Sequence, residues 1–192
     1  MQLVFATANP NKVKEIQSLI PASIQLKGLP DIGCTEDVPE TRPTIEGNAS
    51  QKAFYVFEKY HHNCFADDTG LEIEALDGRP GVLSARYAGE AKDANTNMEK
   101  ILAEMKGITN RKARFKTVIS LVIDGKECLF EGVVEGVILS EKRGDKGFGY
   151  DPIFMAMGDS RSFAEMELSE KNKVSHRARA VNKLVEYLNK LH

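Results

Sequence analysis

Residues 113–139 read ARFKTVISLVIDGKECLFEGVVEGVIL, and this stretch decides the fold. Ala113, Phe115, Thr117, Ile119, Leu121 and Ile123 alternate with more polar neighbours up to Asp124-Gly125, a pair suited to the positive φ angles of a two-residue hairpin turn. A long strand-like segment returns to Leu139, with Gly132 and Gly136 expected to bulge or bend it. A long antiparallel hairpin of this kind excludes an all-parallel sheet.

Helices and strands alternate on both sides of the hairpin. Gln2 to Ala6 reads as a strand, Thr7 to Asn11 as a tight polar loop, and Val13, Ile16, Leu19 and Ile20 as a helix that Pro21 ends. Ile24 to Leu29 predicts a second strand. From Thr44, the residues Ala49, Ala53, Phe57 and Tyr60 share a helical face. Cys64 to Ala66 reads as a short strand running into a turn at Asp67-Asp68-Thr69-Gly70, with Leu71 and Ile73 following and a reversal at Gly78 to Gly81. Met98, Ile101, Leu102 and Met105 make a third helix, with Gly107 as its stop. The last helix starts near Ser175 and aligns Ala178, Val181, Leu184, Val185, Leu188 and Leu191. The pattern predicts an α/β fold with a mixed sheet, as one domain over residues 1–192 without repeats or linkers.

Composition narrows the function. Of 192 residues 42% are apolar, which suits a folded domain, and 26 Lys and Arg against 28 Asp and Glu leave a net charge of −2. That balance excludes a general duplex-binding surface, so any polyanion site must be local. Membrane-length apolar runs are absent and the first residues lack a basic leader, so the chain is expected in the cytosol, without a membrane partner. Cys34, Cys64 and Cys128 fit neither a disulfide framework nor a metal knuckle and read as reduced, mostly buried thiols.

Four stretches carry chemistry. Thr7-Ala8-Asn9-Pro10-Asn11-Lys12 joins a strand to a helix, where outward amides and the Lys12 charge favour a phosphate; an ordinary loop with a solvated lysine is the rival. Glu40, Asp67 and Asp68 form an acidic set. Adjacent carboxylates repel unless neutralised, and Mg²⁺ is the natural cation, although Asp-Asp-Thr-Gly alone is more often a solvated turn. In Gly144-Asp145-Lys146-Gly147-Phe148-Gly149-Tyr150-Asp151-Pro152, three glycines permit close approach, Phe148 and Tyr150 offer flat faces to a base, and Asp151 could accept from a purine edge; a glycine-rich surface turn with its aromatics tucked into the core is the alternative. Lys171, His176 and Arg177 fall just before and inside the first turn of the last helix, where cations oppose the macrodipole unless an anion or acceptor-rich ligand is bound. Together the four describe a Mg²⁺-nucleotide site.

The same residues, in order along essentially the whole chain, resemble the inosine triphosphate pyrophosphatases. The shared pieces are Ala6 to Lys12 with Glu15, Glu40 with Asn48-Ala49 and Lys52-Ala53, Ala66 to Leu71, Pro80-Gly81, Ser84 to Tyr87, Phe148 to Pro152, and Lys171 with Ser175-His176-Arg177. The resemblance implies hydrolysis of ITP, dITP and XTP between the α and β phosphates. It also implies an elongated sheet with helices on both sides, two lobes around a central cleft, and a homodimer. By position Asp68 would be the general base, Glu40 and Asp68 would hold Mg²⁺, and Thr7, Ala8, Asn9, Pro10, Asn11 and Lys12 would cradle phosphates with Lys52. Phe148, Gly149, Tyr150, Asp151, Lys171, His176 and Arg177 would hold the base, with Thr69 lining the pocket. Ala8 departs from the usual glycine, so a positive φ there would strain the loop. Two rivals remain: the septum-inhibitor-like nucleotide pyrophosphatases, whose paired arginines after the first strand have no counterpart in Asn9 to Lys14, and a nucleotide- or RNA-binding module without hydrolysis.

Overall fold

A computed structural model describes residues 1–191 and places the hairpin as the sequence predicts. Strands β5 (Lys112–Ile123) and β6 (Lys126–Ile138) are joined by Asp124 and Gly125, both at positive φ (50° and 78°), as a two-residue hairpin turn requires. Gly136 serves a close approach of the backbone. A Cβ there would stand 2.3 Å from the Met155 carbonyl oxygen, so the missing side chain admits β7 (Phe154–Ala156), which pairs antiparallel with β6.

The remaining strands are β1 (Gln2–Phe5), β2 (Gln25–Lys27), β3 (Cys64–Ile73) and β4 (Pro80–Gly81). The order is β2-β1-β3-β5-β6-β7, with β4 pairing β3. β1 runs parallel to β2 and to β3, whereas β4 is antiparallel, so the sheet is mixed. Five helices accompany it among the described residues: α1 (Pro10–Gln17), α2 (Ile45–Tyr60), α3 (Ala94–Glu104), α4 (Leu168–Val174) and α5 (His176–Lys190).

The chain forms two compact units. The first comprises Met1–Asp68, Thr117–Gly132 and the chain from Arg177. Its core has two clusters, one joining Leu3, Phe5 and Phe65 to Ile16 of α1 and to Val181, Leu184 and Leu188 of α5, the other joining Val4 and Ala66 to Ala53 and Val56 of α2. The second unit, Thr69–Lys116 and Val133–His176, packs Leu71, Ile101, Phe115, Ile138, Phe154 and Phe163 into a single cluster.

Three local expectations need correction. Helix α1 stops at Gln17 rather than at Pro21, because Ser18 caps it and the amides of Leu19 and Ile20 both turn back to the Ile16 carbonyl. Asp67-Asp68-Thr69-Gly70 is no turn but the middle of β3. Leu191, placed on the apolar face of the last helix, is exposed. The two lobes around a cleft remain an expectation of the resemblance.

Candidate active site

Burying an aspartate in a strand is expensive unless cations meet it, and in the first unit they do. Asp67 is 0% exposed. Its Oδ1 accepts from Lys12 Nζ at 3.0 Å, and its Oδ2 accepts from Arg177 Nε and Nη2, each at 3.2 Å. Arg177, itself 2% exposed, also donates through Nη1 to Glu15 of α1. Lys12 and Arg177 hold the Asp67 carboxyl far below the usual range against the opposing effect of burial. The same pairing raises Arg177, while burial lowers the Lys12 ammonium.

The neighbouring aspartate has different surroundings, since successive strand residues face opposite sides. Asp68 is buried, and its Oδ2 has no hydrogen-bond partner among the described residues. The nearest cation is Lys52 of α2, whose Nζ lies 3.6 Å from Asp68 Oδ1 and donates to Glu40 Oε1 at 2.5 Å. Burial pushes the Asp68 carboxyl up, with Lys52 and Lys12 opposing. Burial would lower Lys52, but Asp68 and Glu40 outweigh it and the ammonium is raised. The unit thus sets Lys12, Lys52 and Arg177 against four carboxylates and leaves one buried carboxylate oxygen unsatisfied.

That oxygen is the structural test of the expected Mg²⁺ site. No group of three or more His, Cys, Asp or Glu among the described residues could hold a metal alone. Magnesium does not require one, because it commonly takes one or two carboxylates and completes its shell with water and substrate phosphates. Glu40 and Asp68, both within reach of the Lys52 ammonium, fit that pattern.

The loop expected to cradle phosphates is more closed than its sequence implies. Asn9 caps α1, accepting at Oδ1 from the amides of Asn11 and Lys12, and its own amide donates to Thr7 Oγ1. Two helix-start amides are therefore already bonded within the loop. Lys12 is paired with Asp67, not solvated. Ala8 and Pro10 are exposed, and Ala8 is not among the residues at positive φ, so its departure from glycine introduces no left-handed strain.

In the second unit, Asp151 and Lys171 form a buried pair, with Asp151 Oδ2 accepting from Lys171 Nζ at 2.6 Å and from the Phe148 amide at 2.9 Å. The Lys171 ammonium also lies over the Phe148 ring, 5.1 Å from its centroid. Gly147 (φ +72°) permits this packing, because a Cβ there would fall 2.1 Å from Asp151 Oδ2. Phe148 and Gly149 are partly exposed, as is Thr69 in β3. Tyr150, expected as a second flat face for a base, is a core residue whose hydroxyl donates to the Ser84 carbonyl at 2.6 Å. His176 is buried and stacked on Phe115, centroids 4.5 Å apart.

The expected cluster of cations at the last helix also resolves differently. Lys171 belongs to α4, a helix that the sequence reading missed, and Arg177 at the start of α5 meets the protein's own Asp67 and Glu15. In the sequence Glu15 stands only as part of the resemblance. Its signal was there: Lys12, Glu15 and Ile16 share a helical edge, and an ionisable residue beside a core isoleucine needs a buried partner.

Comparisons with known proteins identify the family. The Ham1 family model matches residues 3–187. A dITP/XTP pyrophosphatase of Christiangramia forsetii is 57% identical over 190 residues, 99% of this chain and 100% of that protein. One of Flavobacterium psychrophilum is 56% identical over 187 residues, 97% of this chain and 98% of its own. Among solved structures, the Staphylococcus aureus Ham1 protein superposes with a TM-score of 0.91 at 36% identity, covering 100% of both chains.

Proposed function

The chain belongs to the Ham1 family, and from that premise we propose that it hydrolyses ITP, dITP and XTP to the nucleoside monophosphate and pyrophosphate. The names of its relatives support the substrate class. The observation that carries the chemistry is the buried Asp68 oxygen without a partner, beside Lys52 and Glu40.

In this reading a water attacks the α phosphorus, a new P–O bond forms, and the bond to the bridging oxygen breaks as pyrophosphate leaves. Asp68 orients the water and accepts its proton, a role for which its raised affinity for protons suits it. Mg²⁺, held by Glu40 and Asp68, would neutralise charge that builds on the phosphate oxygens. Lys12 and Lys52 add positive charge for the phosphates, and residues 7–11 shape the loop in front of them. Phe148 offers its face to the base, and the Asp151–Lys171 pair supplies an acceptor and a donor for a 6-keto purine edge. Adenine reverses the acceptor and donor at that edge, and each buried group left unpaired costs about 1–3 kcal/mol, enough for roughly 10- to 100-fold discrimination per mismatch. Thr69 and Gly149 complete the base surroundings. Tyr150 and His176 support them from the core, and Arg177 acts through Asp67 rather than on the base.

A homodimer in the cytoplasm belongs to the same proposal on the strength of the resemblance; no helix among the described residues is long and apolar enough to cross a membrane. The test is a panel of ITP, dITP, XTP, ATP and GTP with and without Mg²⁺, scored for released pyrophosphate. Pyrophosphate from the first three, only with the metal, supports the reading. Orthophosphate as the product, or no preference over ATP, contradicts it.

A further inference from the structure

Glu40 lies outside any helix or strand, yet its carboxylate is held, and the holder is one edge of α2. Residues 40–44 run back along the helix that follows them. Thr44 caps α2, its Oγ1 accepting from the Gly47 amide at 3.0 Å. The Arg42 amide donates to Asn48 Oδ1 at 2.9 Å. The Thr41 amide donates to Gln51 Oε1 at 2.8 Å, and Gln51 Nε2 donates back to Thr41 Oγ1 at 2.9 Å. Lys52 then reaches Glu40. Positions 47, 48, 51 and 52 recur at the i, i+4 spacing of one helical edge. Gly47 adds close approach, since a Cβ there would come within 2.9 Å of Arg42 Cβ.

Two consecutive backbone amides, at 41 and 42, are thus satisfied by helix side chains, which leaves the chain that follows Glu40 little rotational freedom. We propose that Asn48 and Gln51 are positioning residues for Glu40, setting its carboxylate where the cation is taken without touching cation or nucleotide themselves. This inference rests on the reading of Glu40 as a metal ligand. Losing a partner that orients a ligand ordinarily costs about 10- to 100-fold in metal affinity or activity.

Gln51 is partly exposed, so its replacement should leave the fold intact, whereas Asn48 is buried. The experiment titrates Mn²⁺ by calorimetry into the full-length protein carrying α,β-methylene ITP, which cannot be cleaved at that bond. In Gln51→Ala, Mn²⁺ affinity should fall about tenfold while kcat for ITP at saturating Mg²⁺ stays near that of the wild type. Gly47→Ala, which breaks no bond to Thr41 but displaces Arg42, should weaken Mn²⁺ in the same sense. In a Thr41→Val background, the further effect of Gln51→Ala should shrink, since half of the clasp is already gone. Gln51→Ala and Gly47→Ala binding Mn²⁺ like the wild type, while Glu40→Gln binds it more weakly, would overturn the positioning role alone. Unchanged Mn²⁺ affinity in Glu40→Gln would instead remove the metal role of Glu40, and this inference with it.

Discussion

Arg177 and Asp67, 110 positions apart in the chain, are joined at 3.2 Å by two guanidinium nitrogens on one carboxylate oxygen. With Lys12 on the other oxygen, Asp67 is fully committed to cations of the protein, and its neighbour Asp68 is not. In the proposed function the pair of aspartates divides the work between a structural anion and a reactive one.

Breaking the Arg177 fork should therefore act on the whole site and not on base choice. Arg177→Ala removes a buried cation from both Asp67 and Glu15 and should lose about 3–5 kcal/mol in denaturant unfolding. Arg177→Lys keeps the charge but not the fork, and should lower kcat/KM for ITP and ATP in equal proportion. A loss about tenfold or more greater for ITP than for ATP would return Arg177 to the purine edge.

Gly147→Ala forces a Cβ against the Asp151 carboxylate and places a side chain at φ +72°. The base side of the reaction should suffer first, so KM for ITP should rise and the preference over ATP should shrink. Steady-state kinetics on both nucleotides decide the point, and an unchanged ratio would show that Asp151 does not read the base.

The Asp151–Lys171 pair can be separated from its recognition role by a double variant. Lys171→Met alone strands a buried carboxylate and should cost about 3–5 kcal/mol, while adding Asp151→Leu should restore much of that stability without restoring the preference for ITP. If the double variant regains the preference, the pair is purely structural.

Thiol reactivity checks the burial of the core independently. The Cys64 thiol donates to the Ala53 carbonyl at 3.1 Å, and burial pushes it up to about 12. Cys34 is buried too, whereas Cys128 is partly exposed beside the Tyr187 hydroxyl. Dithiobisnitrobenzoate at pH 8 should modify Cys128 alone in the native protein and all three cysteines after denaturation. Rapid labelling of Cys64 would contradict the packing of β3.

The hairpin was legible because its signals are local: period-two alternation and Asp124-Gly125 need no distant partner. Both long helices and the strand β1 were legible on the same ground, though not the parallel pairing of β1. Asp67 to Gly70 was not, since these are turn formers by propensity, and the cations that meet the aspartates of this buried strand, Lys12 and Arg177 at Asp67 and Lys52 near Asp68, lie far away in sequence. Helix α4 escaped notice because it has seven residues and is capped by Glu167 and Glu170 instead of a serine or threonine. In the candidate site, residue types were readable and pairings were not. Lysine beside acid in the sequence says nothing of which carboxylate stays unsatisfied.

Asp68 carries the central claim, and a single substitution reaches it. Asp68→Asn preserves shape while removing the proton acceptor, so unfolding should be unchanged while pyrophosphate release from ITP at saturating Mg²⁺ falls by a factor of about 100 or more. Retention of more than about a tenth of the wild-type kcat by a folded Asp68→Asn protein would contradict the account.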